Sequence, residues 1–438
     1  MKIVTVVNID NNCFILKLRW VDNNNFISFV AYLQNIMENI MEQVLSNRIN
    51  SLSESQTLAM ARMSRELIAQ GKDIISLSIG EPDFATPDFI KDAAKKAIDE
   101  NYTHYTPVPG YLELRQAVSL KFKRDNNLDY SPEQIVVSTG AKHALTNLAL
   151  TILNPGDEVL LPTPYWVSYH DMIKIAEAKP ITIHSGIEAD FKVTPQQIEA
   201  AITPKTRMFW FSSPCNPSGS VYSKDELFAI AQLFSKHPNI LIVSDEIYEH
   251  INFLDKHQSI AQFDFIKDQV ITVNGVSKGF AMTGWRIGYI GAPKWIADAC
   301  TKMQGQFTSG TCSIAQKAAQ AALEADPICV VPMQKAFRKR RDLVLKLMSE
   351  IPGLKLNVPK GAFYVFPDVS YFFGKTDGET VIKNADDLSM FLLHKGLIAM
   401  VSGDAFGNPD CLRLSYATSE DILTEAIKRM KNTLTLLK

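Results

Sequence analysis

Val270-Ile-Thr-Val-Asn274-Gly-Val-Ser-Lys278-Gly-Phe-Ala-Met-Thr-Gly-Trp-Arg286-Ile-Gly-Tyr289 leads from a β-branched strand into a turn of glycines and small residues. A lysine stands just past the strand end and an arginine eight residues further on. Working outward, other β-branched or apolar runs repeat the pattern: Ile135–Val137, Glu158–Leu161, Ile181–Ile183, Met208–Phe211, Ile240–Val243 and Ile287–Ile290. Most lead into turn residues or a helical stretch. Strands alternating with helices predict an α/β fold with a mainly parallel seven-stranded sheet, whose ligands collect at the carboxyl ends of the strands.

Helical periodicity also runs through Thr57–Gln70 and Pro87–Glu100, before the main sheet. After Pro327 the pattern changes to a long charged helix through Phe337–Ile351, then short strands around Phe363–Phe366 and Arg413–Ser415. We therefore expect a large domain over 89–326 and a smaller α+β domain over 327–438, to which 41–88 adds an N-terminal arm. Residues 1–40 alternate short apolar runs with asparagine clusters. Their longest apolar stretch, Phe26–Leu33, is too short to span a bilayer and lacks the order of a signal peptide. This extension is expected to be dispensable, with Met37 and Met41 as internal starts.

With 438 residues, 46% apolar, the chain can bury large cores. Its 45 basic and 47 acidic residues leave a net charge of -2, which argues against a nucleic-acid footprint. Cys13, Cys215, Cys300, Cys312, Cys329 and Cys411 are scattered, without the spacing of a disulfide framework or a metal site. The reading is a cytoplasmic protein with no membrane or nucleic-acid partner and no metal.

Three strand ends carry chemistry. Ser138-Thr-Gly-Ala-Lys142 opens a helix whose free N–H groups suit a phosphate. Asp245-Glu-Ile-Tyr248 places a carboxylate and a phenol after the run Ile240–Val243. Lys278 is either a surface charge or, if buried and neutral, a nucleophile toward an aldehyde. Pyridoxal 5'-phosphate needs such a lysine, an acid on its ring nitrogen and a phosphate cradle. Gly275-Val-Ser277-Lys-Gly279 also fits the nucleophile elbow of serine hydrolases, but His394 is the only downstream histidine and no oxyanion loop is visible.

Taken in order, LSIGEPDFATP (77–87), YTPVPGYLELR (105–115), PTPYWVSY (162–169), SPCNPSG (213–219), SDEIYEH (244–250), NGVSKGFAMTGWRIGY (274–289) and CLRLSYA (411–417) resemble the fold type I pyridoxal phosphate aminotransferases. More narrowly they are similar to class I subgroup b, the bacterial aspartate aminotransferase branch, over residues 45–438. The resemblance implies Lys278 as the Schiff-base and proton-transfer residue, Asp245 as partner of the ring nitrogen, and Tyr248 with Asn216 on the 3' oxygen. Phosphate binding falls to Gly140, Ala141, Lys142, Ser277 and Arg286. Tyr105 implies a homodimer with shared active sites, since in this family that tyrosine reaches the neighbouring subunit's phosphate. Trp166 stacks on the cofactor.

For the substrate, the resemblance makes Arg413 the clamp of the α-carboxylate, assisted by Gly80 and Asn216, with Trp166 also lining the site. Thr57 and Lys142 receive the second carboxylate. It thus implies transfer of the amino group of L-aspartate to 2-oxoglutarate by a ping-pong mechanism. Aromatic, kynurenine or prephenate specificity is the alternative, and a C–S lyase a more distant one. Ser53-Glu-Ser-Gln-Thr57 lacks the basic residue that prephenate-accepting relatives use, His143 stands where glutamine is more usual, and Cys215 lies inside the asparagine-proline motif.

Overall fold

Seven runs of Val, Ile, Leu and Phe form one sheet: β1 (Ile135–Ser138), β2 (Glu158–Pro162), β3 (Lys179–Ile183), β4 (Thr206–Ser212), β5 (Leu241–Asp245), β6 (Val270–Gly275) and β7 (Gly288–Gly291). The order across it is β1-β7-β6-β5-β4-β2-β3. Neighbours from β6 through β3 run parallel, while β7 lies antiparallel to both β6 and β1. The sheet is thus mainly parallel with one reversed strand. Tyr289 pairs with Val137 on one side and Asn274 on the other.

Alternation along the strands feeds two cores, one on each face. Ile135, Val137, Phe209, Phe211 and Ile242 pack against the helices Leu112–Lys121, Lys224–Phe234 and Ser313–Glu324. Val136, Met208, Trp210, Leu241 and Val243 pack against Ala141–Ile152, Ser168–Ile175 and Lys294–Phe307. Burial on both faces explains why these strands read as continuous apolar runs.

A third core lies around an antiparallel sheet of Tyr364–Val365, Leu412–Ser415 and Val401–Ser402. The helices Val331–Met348, Ala385–Gly396 and Glu420–Leu434 cover it. Ile75–Ser76 pairs in parallel with Ile398–Ala399, so the chain just before Leu77 is docked on this C-terminal region. That pairing carries the stretch from Leu77 toward the ends of β5 and β6.

The computed structural model describes residues 2–10, 13–21 and 44–438. Phe26–Leu33, Met37 and Met41 lie outside the described residues. The chain divides into two units, Met1–Ser53 and Glu54–Lys438. In the first, Lys2–Asp10 and Cys13–Val21 form an antiparallel ladder from Lys2 opposite Val21 to Asp10 opposite Cys13. The sequence reading assigned no strand here; the β-branched residues between the asparagines supply the pairing tendency. No helix among the described residues is long and apolar enough to cross a membrane.

Candidate active site

Where the parallel strands end, a cavity of about 270 Å³ opens in the second unit. Its walls include Thr57, Gly80, Ala141, Lys142, Trp166, Asn216, Asp245, Tyr248, Ser277, Lys278, Arg286 and Arg413. These residues span more than 350 positions of sequence: Asp245 ends β5, Ala141, Ser277 and Lys278 come just after strands of the large sheet, Gly80 follows Ile75–Ser76, Arg413 lies on strand Leu412–Ser415 and Thr57 on helix Gln56–Ala69. Gly140 is not part of the wall; it is the residue before helix Ala141–Ile152, with φ of +86°. Tyr105 is fully exposed and does not line this cavity.

Asp245 closes β5 and is buried. It accepts from the Tyr169 hydroxyl at 2.6 Å and from the Ile247 N–H at 3.1 Å. Burial raises its pKa to about 6, opposed by the hydrogen bonds from Tyr169 and Ile247. Lys278 Nζ donates to the Gly80 carbonyl at 2.6 Å and lies over the rings of Phe363 (5.7 Å) and Tyr248 (5.8 Å). Burial brings its pKa down to about 8; Arg413 and Arg286 push the same way, against Glu81 and Asp245. An acid raised and an amine lowered, each toward neutrality, characterise groups that exchange protons at working pH.

Tyr248 shares a hydrogen bond with Tyr364, hydroxyl to hydroxyl at 2.8 Å, and burial raises its pKa. Arg413 is 2% exposed. Its Nη1 donates to Asn216 Oδ1 at 3.1 Å and its Nη2 to the Ser78 carbonyl. The guanidinium lies over Tyr364 (4.8 Å) and Phe406 (4.9 Å), while Nε is buried without a hydrogen-bond partner among the described residues. A buried guanidinium with an unused donor and no acid beside it suits an incoming carboxylate.

Arg286 ends the single turn Thr283–Trp285 in the left-handed region, at φ +58°, and donates to the Thr283 carbonyl at 2.8 Å. That conformation costs an arginine of the order of 1 kcal/mol and aims its head at the first turn of helix Ala141–Ile152. A Cβ on Gly140 would fall on this guanidinium, and one on Gly288 on the backbone of Gly140 and Ala141. Only glycine lets the arginine and the helix start close on the same space. Lys142 holds its ammonium 4.9 Å from the Trp166 ring, and desolvation together with Arg286 lowers its pKa. Thr57 Oγ1, on helix Gln56–Ala69, is buried without a partner among the described residues.

Sequence reasoning missed Tyr169 and Tyr364. The first follows Trp166 by three residues inside a motif already singled out, a helical spacing that brings the two rings into edge contact at 5.5 Å. The second lies in an apolar strand run and carries no local mark. His143 serves the turn, accepting from the Thr139 N–H at 3.2 Å, and does not line the cavity.

Residues 72–430 match the family described as Aminotransferase class I and II. The chain belongs to this family. The aminotransferase is 46% identical over 397 residues to an aspartate/prephenate aminotransferase of Nitrosomonas europaea, covering 89% of this chain and 99% of that one. It is 45% identical to a bifunctional aspartate and glutamate/aspartate-prephenate aminotransferase of Petunia hybrida, covering 93% and 86%. Among solved structures, the aspartate aminotransferase of Rhizobium meliloti superposes with a TM-score of 0.88 at 40% identity, covering 90% and 99%. That of Thermus thermophilus, solved with maleate, gives 0.84 at 40% identity, covering 89% and 99%.

Pyridoxal 5'-phosphate is the family's cofactor, and the residues present fit it. A buried carboxylate bonded only by neutral donors, a lysine of lowered pKa, and a glycine-gated helix start facing an arginine supply the donors and acceptors its ring nitrogen, aldehyde and phosphate require. The enzyme is a pyridoxal phosphate-dependent aminotransferase that acts on amino and oxo acids.

Proposed function

We propose that this aminotransferase moves the amino group of L-aspartate to 2-oxoglutarate, giving oxaloacetate and L-glutamate in two successive half-reactions. The observation that carries the reading is that one cavity is lined by Lys278, by Arg413 and by Lys142 with Thr57, which we read as the reactive lysine and two separate receivers for carboxylates. The maleate in the Thermus structure, a four-carbon dicarboxylate, supports it.

When bound, pyridoxal 5'-phosphate supplies an aldehyde for amines and a ring that accepts the electrons of a deprotonated α-carbon. Asp245 would hold the protonated ring nitrogen, Tyr248 and Asn216 would hydrogen-bond the ring oxygen, and Trp166 would line the ring face. Gly140, Ala141, Ser277 and Arg286, with Lys142 adjacent, would receive the phosphate. Arg413, with Gly80 and Asn216, grips the α-carboxylate and so presents the Cα–H bond to Lys278. Lys278 Nζ, whose free amine has a pKa of about 8, would take the Cα proton. We assign the working enzyme to the cytoplasm as a homodimer in which Tyr105, fully exposed in one chain, reaches the other chain's phosphate.

The visible spectrum of the loaded enzyme, read before and after L-aspartate is added without any oxo acid, tests this. Loss of the cofactor band with release of oxaloacetate is expected. A band unmoved by aspartate but removed by phenylalanine or kynurenine would replace the substrate assignment, and turnover of glutamate with prephenate would widen it. Lys142→Ala is expected to lower kcat/KM for aspartate about tenfold more than for an uncharged amino acid. Equal losses on both count against the second-carboxylate role.

A further inference from the structure

The segment Leu77–Pro87 is bonded along its length to the loop that carries Lys278 and Arg286. Besides the bond from Lys278 to the Gly80 carbonyl, Thr283 Oγ1 donates to the Glu81 carboxylate. Thr86 Oγ1 donates to the Ala281 carbonyl at 2.7 Å and accepts from Trp285 Nε1 at 3.1 Å. Upstream, the Ser78 carbonyl receives Arg413. Downstream, Arg340 of helix Val331–Met348 grips both oxygens of Asp83 at 2.6 and 2.9 Å. The loop needs such support, because Ala281 and Arg286 both stand at positive φ, +51° and +58°.

The charges facing the lysine come from every side. Arg413 faces it from strand Leu412–Ser415, Arg286 from its own loop, Asp245 from the end of β5 and Glu81 from the segment above, with the Tyr248 and Tyr364 phenols beside them. Two cations therefore oppose two acids. With Asp245 assigned to the ring nitrogen, Glu81 is the acid left to act on the amine: it follows Gly80, whose carbonyl accepts from Lys278 Nζ, and is held by Thr283 of the same loop.

We propose that Glu81 is a positioning residue for Lys278: through Thr283 it fixes the loop bearing Lys278 and Arg286, and its carboxylate offsets Arg413 and Arg286 at the amine. This rests on Lys278 being the residue that carries the cofactor. Two variants separate the two halves of the role. Glu81→Gln keeps an oxygen for the Thr283 hydroxyl and removes the charge. Thr283→Val keeps the charge and removes the bond.

The readout is the pH midpoint at which the visible band of the loaded enzyme changes, with the pH profile of kcat for aspartate beside it. Glu81→Gln is expected to lower the midpoint by about half a pH unit at low salt, with the shift shrinking at high salt because Glu81 is exposed. Thr283→Val is expected to leave the midpoint in place and lower kcat about threefold or more through misplacement of the loop. A midpoint that stays put in Glu81→Gln, or moves equally in Thr283→Val, would falsify the assignment. A loaded enzyme that keeps its visible band in Lys278→Ala would overturn the role given to Lys278, whereas a band lost in that variant but unmoved by Glu81→Gln overturns this inference alone. Melting curves of both variants close to that of the wild type are expected, and a large drop in either overturns a local role.

Discussion

The stretch Asp245–His250 has two sides, and they handle charge in opposite ways. Asp245 and Tyr248 turn to the cavity, where each meets a neutral hydroxyl. Glu246, Glu249 and His250 enter a buried network. Glu249 is ion-paired with Lys121, whose side chain is fully buried, and accepts from Asn126 Nδ2 at 2.9 Å. Its other neighbour is His250, at 3.3 Å. Glu246 meets His257 at 2.9 Å and accepts from the Ser244 and Ser259 hydroxyls at 2.9 and 2.6 Å. Burial alone would raise the Glu249 pKa, yet Lys121, His250 and His257 outweigh it and hold Glu249 well below the carboxylate range.

The contrast separates two uses of buried charge. Behind the site, charge meets countercharge and the pairs hold six consecutive residues in place. In the site, burial displaces Lys278 and Asp245 toward neutrality, and on the proposed function their partner is a bound cofactor. The two sides touch at His250: a Cβ on Gly279 would strike its ring, and Phe280 meets it edge-on at 5.4 Å, so the two residues after Lys278 rest on the network.

The largest effect that bears on this contrast is on rate. Lys278→Ala is expected to lower amino transfer by about 10,000-fold or more, since proton transfer and the attachment point vanish together. The cofactor-free variant is expected to melt no lower than the wild type, because a buried amine held below its ordinary pKa works against folding. A fall of several degrees would show that the lysine stabilises the chain and would dissolve the contrast.

The next effect is on stability. Lys121→Met leaves the Glu249 carboxylate buried without its cation and is expected to cost about 3–5 kcal/mol in denaturant unfolding. Lys121→Met combined with Glu249→Gln is expected to recover most of that loss, because no unpaired charge is then buried and the amide oxygen can still accept from Asn126 Nδ2. A double variant as unstable as the single would mean that the site depends on the shape of the network and not on its charge balance.

Arg413→Lys sharpens the comparison within the cavity. A lysine keeps the charge but loses the fork that bonds Asn216 and Ser78 and that, on the proposed function, also takes the substrate carboxylate. With two charge-assisted bonds at about 1.5 kcal/mol each, kcat/KM for aspartate is expected to fall about 100-fold. The melting temperature is expected to change little, and steady-state kinetics beside calorimetry check both.

Sequence was informative where a residue's setting is local. Lys278, Asp245 and the Gly140 turn each follow an apolar run that could only be a strand, and the ends of parallel strands converge. Reversal of β7 was not legible, since two apolar residues between two glycines carry no mark of strand direction. Lys121 lies in Leu120-Lys-Phe-Lys-Arg-Asp125, which resembles an exposed helix end; its burial depends on Glu249, more than a hundred residues away. Tyr364 likewise reads as core until the segment carrying Gly80 is laid against its hydroxyl. The pairing of Ile75–Ser76 with Ile398–Ala399, which sets that segment, leaves no trace in either run alone.

The smallest effect is a pH slope, and it tests the contrast without any substrate. Lys278 has a pKa of about 8 in the folded chain and about 10.4 unfolded. Between those values the unfolded state binds more protons, so stability rises with pH, and the full penalty is present below pH 8. Asp245, at about 6 folded and about 3.9 unfolded, behaves in the opposite sense: the folded chain binds more protons, and stability rises as pH falls from 6 to 4. The site is therefore most costly between pH 6 and 8, where the enzyme needs it. Glu249 contributes a constant stabilisation over that range, lost only as pH falls below its unfolded value of about 4.3. Melting curves of the cofactor-free chain from pH 5 to 10 are expected to show a gain of about 1–3 °C on the alkaline side that Lys278→Met removes. A gain on the acid side is expected to disappear in Asp245→Asn, while Glu249→Gln leaves both slopes as they were. Slopes that follow Glu249 instead would place the titrating charge in the network and not in the site.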